Sequence, residues 1–526
     1  MNNTRQGNLL LLGEGVVLAA ILLLAAYLRL TNVSENPGWY SDEGTLIDIA
    51  QHLRNGQVQY MAINQSTLLV ARLPLFPSLL ALLYTTGGAG IQTLRIFTGL
   101  LGVLSVFLLW WFTRRTGNKG LALLAAALLA IYPNAVIYSR IGFSYNLLTP
   151  LILLAAWGMW EYLGAQQRKW LALSGLAVGL GCTSDLMMFN LIPPLVLVII
   201  ARRWRDLLWC LPLVVLLFGV YVLGMMVSVP TAFIFDVQFT LERLSRLDVA
   251  RQIAGLLMNI TSLLLTDAWI APALIGIFLL PILRMKRLLI LLLLLPFVTL
   301  GRTVALSGIS YYYITPLLPY AALGMAALLR YGTPHFVRTI QEGLNALTHR
   351  FDPFGRRRWL RARLTAVGTM GAVTLLIIAP FLMQIVLTFG DLYNGFHTPV
   401  DSLLLEPDAA RAVAVYVNEN IQTGETIIVS PTVGWMFHAN TADFQMMVAD
   451  AGVETLHLPG DIPQERFAFS PRYTDARFVV IDNLWKNWAV FNIPPLLAEI
   501  VSQIETGWGL VFEAGEIRVY ENPELR

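Results

Sequence analysis

Apolar runs of bilayer-spanning length recur along this chain, near residues 9–30, 92–112, 120–138, 147–163, 170–186, 187–201, 207–227, 268–283, 288–301, 312–330 and 365–388. Those at 187 and 288 are short. Hydrocarbon leaves no solvent for backbone N–H and C=O groups, so each run must close its hydrogen bonds internally as a helix. Composition agrees: 526 residues that are 56% hydrophobic and 13% charged carry more apolar surface than a soluble fold would bury. The expectation is a polytopic α-helical membrane protein with about eleven transmembrane helices. The net charge of +3 is too small and too dispersed to call for a nucleic-acid partner.

Basic residues fall in every second loop: Arg114, Arg115 and Lys119; Arg168 and Lys169; Arg202, Arg203 and Arg205; Arg284, Lys286 and Arg287; then Arg356 to Arg363. The positive-inside rule makes these loops cytoplasmic, which puts the N-terminus inside and everything after residue 388 outside. The apolar run from Thr67 to Tyr84 contains Arg72, Pro74 and Pro77, and counting it as a span would invert all five basic loops. It is therefore expected along the outer membrane surface or dipping into it. The resulting division is a membrane domain over 1–390, with an outer loop at 31–90, and an extracytoplasmic α/β domain over 391–526.

In that last part a helix is expected to open at Pro407 and Asp408, with strands at Thr426–Ser430, Arg477–Asp482, Gly509–Glu513 and Glu516–Tyr520. It has no phosphate-binding glycine loop, nucleophile elbow or metal-ligand motif, and reads as a lid or an acceptor-recognition module. His438 and His457 lie far apart and read as ordinary histidines, and Cys182 and Cys210 as buried, inert thiols.

The first outer loop carries the chemistry-bearing pattern: Trp39, Tyr40, Ser41, Asp42, Glu43 and Gly44, then an amphipathic stretch with Leu46, Ile47, Ile49, Ala50 and Leu53 on one side. Spacing alone is explained by capping, with Ser41 at the helix start and two acids favoured by the helix dipole. A carboxylate at the lipid boundary can also accept the proton of an attacking hydroxyl, or hold a metal on a phosphate. Both readings stay open at this point.

An aromatic residue, Asp42-Glu43, an amphipathic helix ending near Gly56, and then the segment Arg72 to Pro77 together resemble the first outer loop of the GT-C superfamily of membrane glycosyltransferases. The likeness is strongest to the bacterial branch with the aminoarabinose-lipid A transferases and protein O-mannosyltransferase-like proteins. It continues through Tyr132-Pro133, Tyr138-Ser139-Arg140, the late tyrosines Tyr311, Tyr312 and Tyr313, and Pro316 and Pro319. The resemblance implies an integral protein of the bacterial plasma membrane that moves a sugar from a polyprenyl-phosphate donor to an acceptor on the non-cytoplasmic face. It implies Asp42 as the catalytic acid residue, with Glu43 beside it. Arg72, Arg140 and Arg302 are the cations expected to hold the leaving phosphate, and Tyr311 and Tyr312 join the substrate-binding set. Where relatives often carry a second acid this chain has Tyr145 and Asn146, and Asp185 is the expected replacement. A divalent cation is left open. So are two other readings, a catalytically silent subunit of a membrane complex and a transporter or lipid flippase.

Overall fold

The computed structural model describes residues 2–66, 73–245, 267–282, 311–335, 403–455, 457–490 and 495–525, with scattered residues between 254 and 265 and between 338 and 390. Its helices are α1 (Asn2–Leu30), α2 (Ser41–Arg54), α3 (Leu75–Gly87), α4 (Ile91–Thr116), α5 (Lys119–Ile131), α6 (Pro133–Arg140) and α7 (Tyr145–Ala165). They continue with α8 (Arg168–Cys182), α9 (Ile192–Arg203), α10 (Leu211–Ser228), α11 (Pro230–Ser245), α12 (Ile270–Ile282) and α13 (Leu318–Ala327).

Among the described residues six helical stretches are long and apolar enough to cross a membrane: Leu12–Leu30, α4, α7, Leu186–Trp209, α10 and Tyr312–His335. A seventh arises if α5 and α6, bent by 56° at their break, are one span. The break is local chemistry: Pro133 cannot donate an amide and disfavours helical geometry at Tyr132, whose ψ is 115°. On α10 the side chains of Val215, Leu216, Val220, Leu223 and Val227 lie uncovered by protein, as a lipid-facing flank must.

The expected count of eleven differs from these six or seven for identifiable reasons. The run at 170–186 appears as α8, only 15 residues long. That at 268–283 appears as α12, of 13 residues. The run at 365–388 shows a short apolar helix over Ile378–Gly390, and that at 288–301 lies outside the described residues. The Thr67–Tyr84 segment is seen from Leu73 on, where α3 has 13 residues. At 1.5 Å per residue that is about 20 Å, short of a hydrocarbon core. It packs on α2.

The C-terminal part holds a five-stranded sheet in the order β4-β3-β5-β7-β6, numbered after the small hairpin β1 (Gln59–Tyr60) and β2 (Ile63–Asn64). β3 (Thr426–Val429) runs parallel to both β4 (Asn440–Asp443) and β5 (Phe478–Ile481), while β7 (Ile517–Glu521) pairs antiparallel with β5 and with β6 (Gly509–Ala514). β3 and β5 are apolar at nearly every position because they are buried on both faces. Around them lie α14 (Pro407–Asn420), a short turn α15 (Pro431–Gly434), α16 (Phe444–Asp450), α17 (Asn483–Val490) and α18 (Pro495–Gly507). The expected boundary at residue 390 falls beside residues that are not described.

This domain docks on the segment that follows α1. Trp39 and Leu405 exchange backbone hydrogen bonds of 2.8 and 2.9 Å, and Ala468 N–H donates to the Ala62 carbonyl at 2.8 Å. Gly44 of α2 meets α15 so closely that a Cβ there would lie 1.7 Å from the Pro431 carbonyl oxygen. Only a residue without a side chain fits that approach.

Candidate active site

Helix α2 starts where it does because its first turn is clamped. Glu43 accepts from the Tyr40 amide at 2.9 Å, which closes the N-terminus as a capping box does. Its carboxylate also receives Arg95 of α4, with Nε to Oε1 at 2.7 Å and Nη2 to Oε2 at 2.6 Å, and the Gly142 amide at 2.7 Å. Arg95 spends its remaining donors on the carbonyls of Val33, Pro37 and Gly38. Both side chains are fully buried.

A second arginine fixes the other end of the same loop. Arg140, at the end of α6, donates to the carbonyls of Leu28, Thr31, Asn32 and Asn36. Leu28 lies in the last turn of α1, whose carbonyls lack intrahelical partners, so the guanidinium caps α1 and shapes its exit.

Two of the expected site residues are engaged inside the protein. Glu43, expected beside Asp42 as a catalytic acid, is buried, and its oxygens accept from Arg95, Tyr40 and Gly142. Arg140, expected on a phosphate, is buried against backbone carbonyls. Arg72 and Arg302 lie outside the described residues, as does the side chain of Tyr311.

Asp42 sits in the first turn of α2, half-buried, next to these anchored neighbours. Its segment rests on an aromatic group that sequence spacing did not assemble. The Tyr40 ring lies 5.2 Å from Phe143 and 6.2 Å from Tyr312, and Tyr312 stacks on Phe143 at 5.0 Å and on Tyr145 at 5.8 Å. Tyr312 is thus brought to the segment after α1 across more than half the chain. Asp185 reaches the same end of the bundle, accepting from Ser144 at 3.2 Å and from the Met187 amide at 2.9 Å as the cap of the short helix Leu186–Leu191. Among the described residues no three His, Cys, Asp or Glu side chains converge as metal ligands.

Helix α11 packs a further buried charge against the C-terminal domain. Asp236 there is buried, accepts from Ser66, and pairs with Arg466 of the C-terminal domain at 3.1 Å. Arg95 was the residue that sequence reading missed. Its signal was present, a lone cation near the start of an apolar span, which requires a buried partner.

Residues 71–232 match the family of dolichyl-phosphate-mannose-protein mannosyltransferases. No curated protein sequence matches the chain significantly. Among solved structures, ArnT from Cupriavidus metallidurans bound to undecaprenyl phosphate superposes with a TM-score of 0.62 at 15% identity, over 97% of this chain and 98% of that one. The archaeal oligosaccharyltransferase AglB from Archaeoglobus fulgidus, in complex with an inhibitory peptide and a dolichol-phosphate, gives 0.53 at 14% identity, over 97% and 74%. These likenesses show the fold: the chain is built like ArnT and AglB, with a sheet-containing domain at its C-terminus.

Proposed function

We propose that this protein transfers a sugar from a polyprenyl-phosphate carrier to an acceptor hydroxyl on the non-cytoplasmic face of the membrane, with Asp42 as general base. The observation that carries the reading is the placement of Asp42: half-buried, in a helix turn locked by Glu43 and Arg95, beside the Tyr40–Phe143–Tyr312 aromatic group. A lipid-linked donor has its phosphate at headgroup level and its tail in hydrocarbon, so the reacting carbon must lie at the rim of the helical bundle. A carboxylate held rigidly at such a rim is what the reaction needs.

In the step itself the acceptor oxygen bonds to the anomeric carbon, and the bond from that carbon to the phosphate oxygen breaks. The bonding pair leaves with polyprenyl phosphate. The acceptor's proton goes to the Asp42 carboxylate. Cations on the phosphate lower the barrier by stabilising the charge that develops there. Arg72 and Arg302 are the candidates for that role, since Arg140 is committed to carbonyls. The aromatic group offers a face to the sugar ring.

The test is reconstitution in liposomes with radiolabelled polyprenyl-phosphate sugars, comparing wild type with Asp42→Asn. Loss of at least about two orders of magnitude in transfer rate is expected on removing a general base. Full activity in the variant would move the chemistry elsewhere. A folded protein that transfers from no donor would make this a non-catalytic subunit.

A further inference from the structure

A cavity of about 240 Å³ opens between the second half of α2, the β1–β2 hairpin and the C-terminal domain. One wall carries the amide side chains of Gln51, Asn55 and Gln57, none of which is engaged by any other described residue. Asn440 and Thr441 of β4 add polar groups opposite them. Trp435, Phe437 and Phe469 supply aromatic surface.

The charge on these walls selects the ligand. No arginine or lysine lines the cavity, which disfavours a phosphate or a polyanion. The two ionisable groups present, Asp48 and His52, are paired with each other at 3.4 Å, and Asp48 is further held by the Met61 amide at 2.7 Å. What remains is a neutral surface of donors and acceptors next to aromatic rings. Hydroxyl-rich, uncharged rings with one apolar face match that surface.

We propose that this cavity is a binding subsite for a neutral saccharide, and that it holds the distal part of an oligosaccharide acceptor. The saccharide binding stands on the cavity alone, whereas the word acceptor rests on the transferase reading above. Geometry sets the length of the ligand. Gln51 and Asn55 lie ~14 to 20 Å beyond Asp42 along α2 at 1.5 Å per residue, so one sugar ring cannot fill both places. A chain of several units spans them.

The experiment measures binding without donor, on the full-length protein in lipid nanodiscs, by saturation-transfer NMR. The probes are neutral hexose and N-acetylhexosamine oligosaccharides, uronic-acid oligosaccharides, and unglycosylated decapeptides. Neutral oligosaccharides are expected to bind, and the double variant Asn55→Ala/Gln57→Ala to weaken them about tenfold, the scale of two lost hydrogen bonds. Both residues are exposed, so the fold is kept. Asn55→Trp, which fills the space, is expected to abolish the signal. Asp42→Asn is expected to bind as wild type does, which separates this subsite from the catalytic reading. Binding of peptides or uronates in place of neutral sugars, no binding by wild type, or wild-type affinity in the double variant would each overturn the proposal.

Discussion

Replacing Arg95 by methionine removes the clamp that positions Asp42 without touching Asp42 itself. The guanidinium has five N–H donors. Each has an acceptor: two bonds to Glu43 at 2.7 and 2.6 Å, and three to the carbonyls of Val33, Pro37 and Gly38 at 2.9, 2.7 and 2.8 Å. Methionine occupies much of the volume but leaves Glu43 as a buried carboxylate with amide partners only. Breaking one side of a buried pair costs about 3–5 kcal/mol, and each orphaned carbonyl adds about 1 kcal/mol or more unless water reaches it. The expected loss is therefore about 5 kcal/mol or more. The double variant Glu43→Leu/Arg95→Met leaves neither charge unpaired and should recover a good part of that loss. Unfolding in mixed micelles titrated with a denaturing detergent, followed by tryptophan fluorescence, gives all four corners of the double-mutant cycle. A coupling energy above about 1.5 kcal/mol is expected. An Arg95→Met protein within about 0.5 kcal/mol of wild type, or strict additivity in the double variant, would refute the argument that this pair holds the loop.

Gly44→Ala should separate α2 from α15, since the atom its Cβ would meet at 1.7 Å is backbone and cannot rotate away. A loss of about 1–3 kcal/mol is expected, read as faster protease cleavage within the C-terminal domain, and unchanged cleavage would contradict the close approach. Asp443 gives a pH dependence. Burial pushes its carboxyl up from 3.8 to about 7, with Asp482 nearby acting in the same direction. The folded protein therefore keeps a proton that the unfolded chain has lost, and the contribution of Asp443 to stability falls as pH rises from about 4 to about 7. Unfolding curves for Asp443→Asn should be flatter than wild type across that interval, and an equal slope would remove Asp443 from the account.

The α/β part of the chain was legible because its buried strands are written in apolar, β-branched residues. Thr426–Val429 and Phe478–Ile481 fall inside the segments that spacing predicts, and Pro407 opens its helix as expected. β4 was not legible: Asn440–Asp443 reads as a polar turn and becomes a strand only by pairing with β3 at the sheet edge. Six or seven of the membrane runs were legible as helices of spanning length, but not the shorter ones, because hydropathy does not record how a 15-residue helix such as α8 is accommodated in the bundle. In the candidate site, Asp42 and Glu43 look alike in sequence. What distinguishes the surroundings of Glu43 is Arg95, a partner 52 positions away from it.

In doubly wound sheets the crevice beyond the carboxyl ends of the parallel strands is the customary ligand site. Here those ends carry Ser430, Asp443 and Asp482, with Ser430 bonded to Asp482. The space in front of them is filled by the chain's own segment after α1: Tyr60 reaches Asp443 at 3.3 Å, and Gly44 sits on Pro431. The C-terminal domain has thus surrendered its natural mouth to grip the helix that bears Asp42. Exchange of this domain between related proteins would have to carry residues 41–64 along with it, because the plug and its socket form one inheritable part.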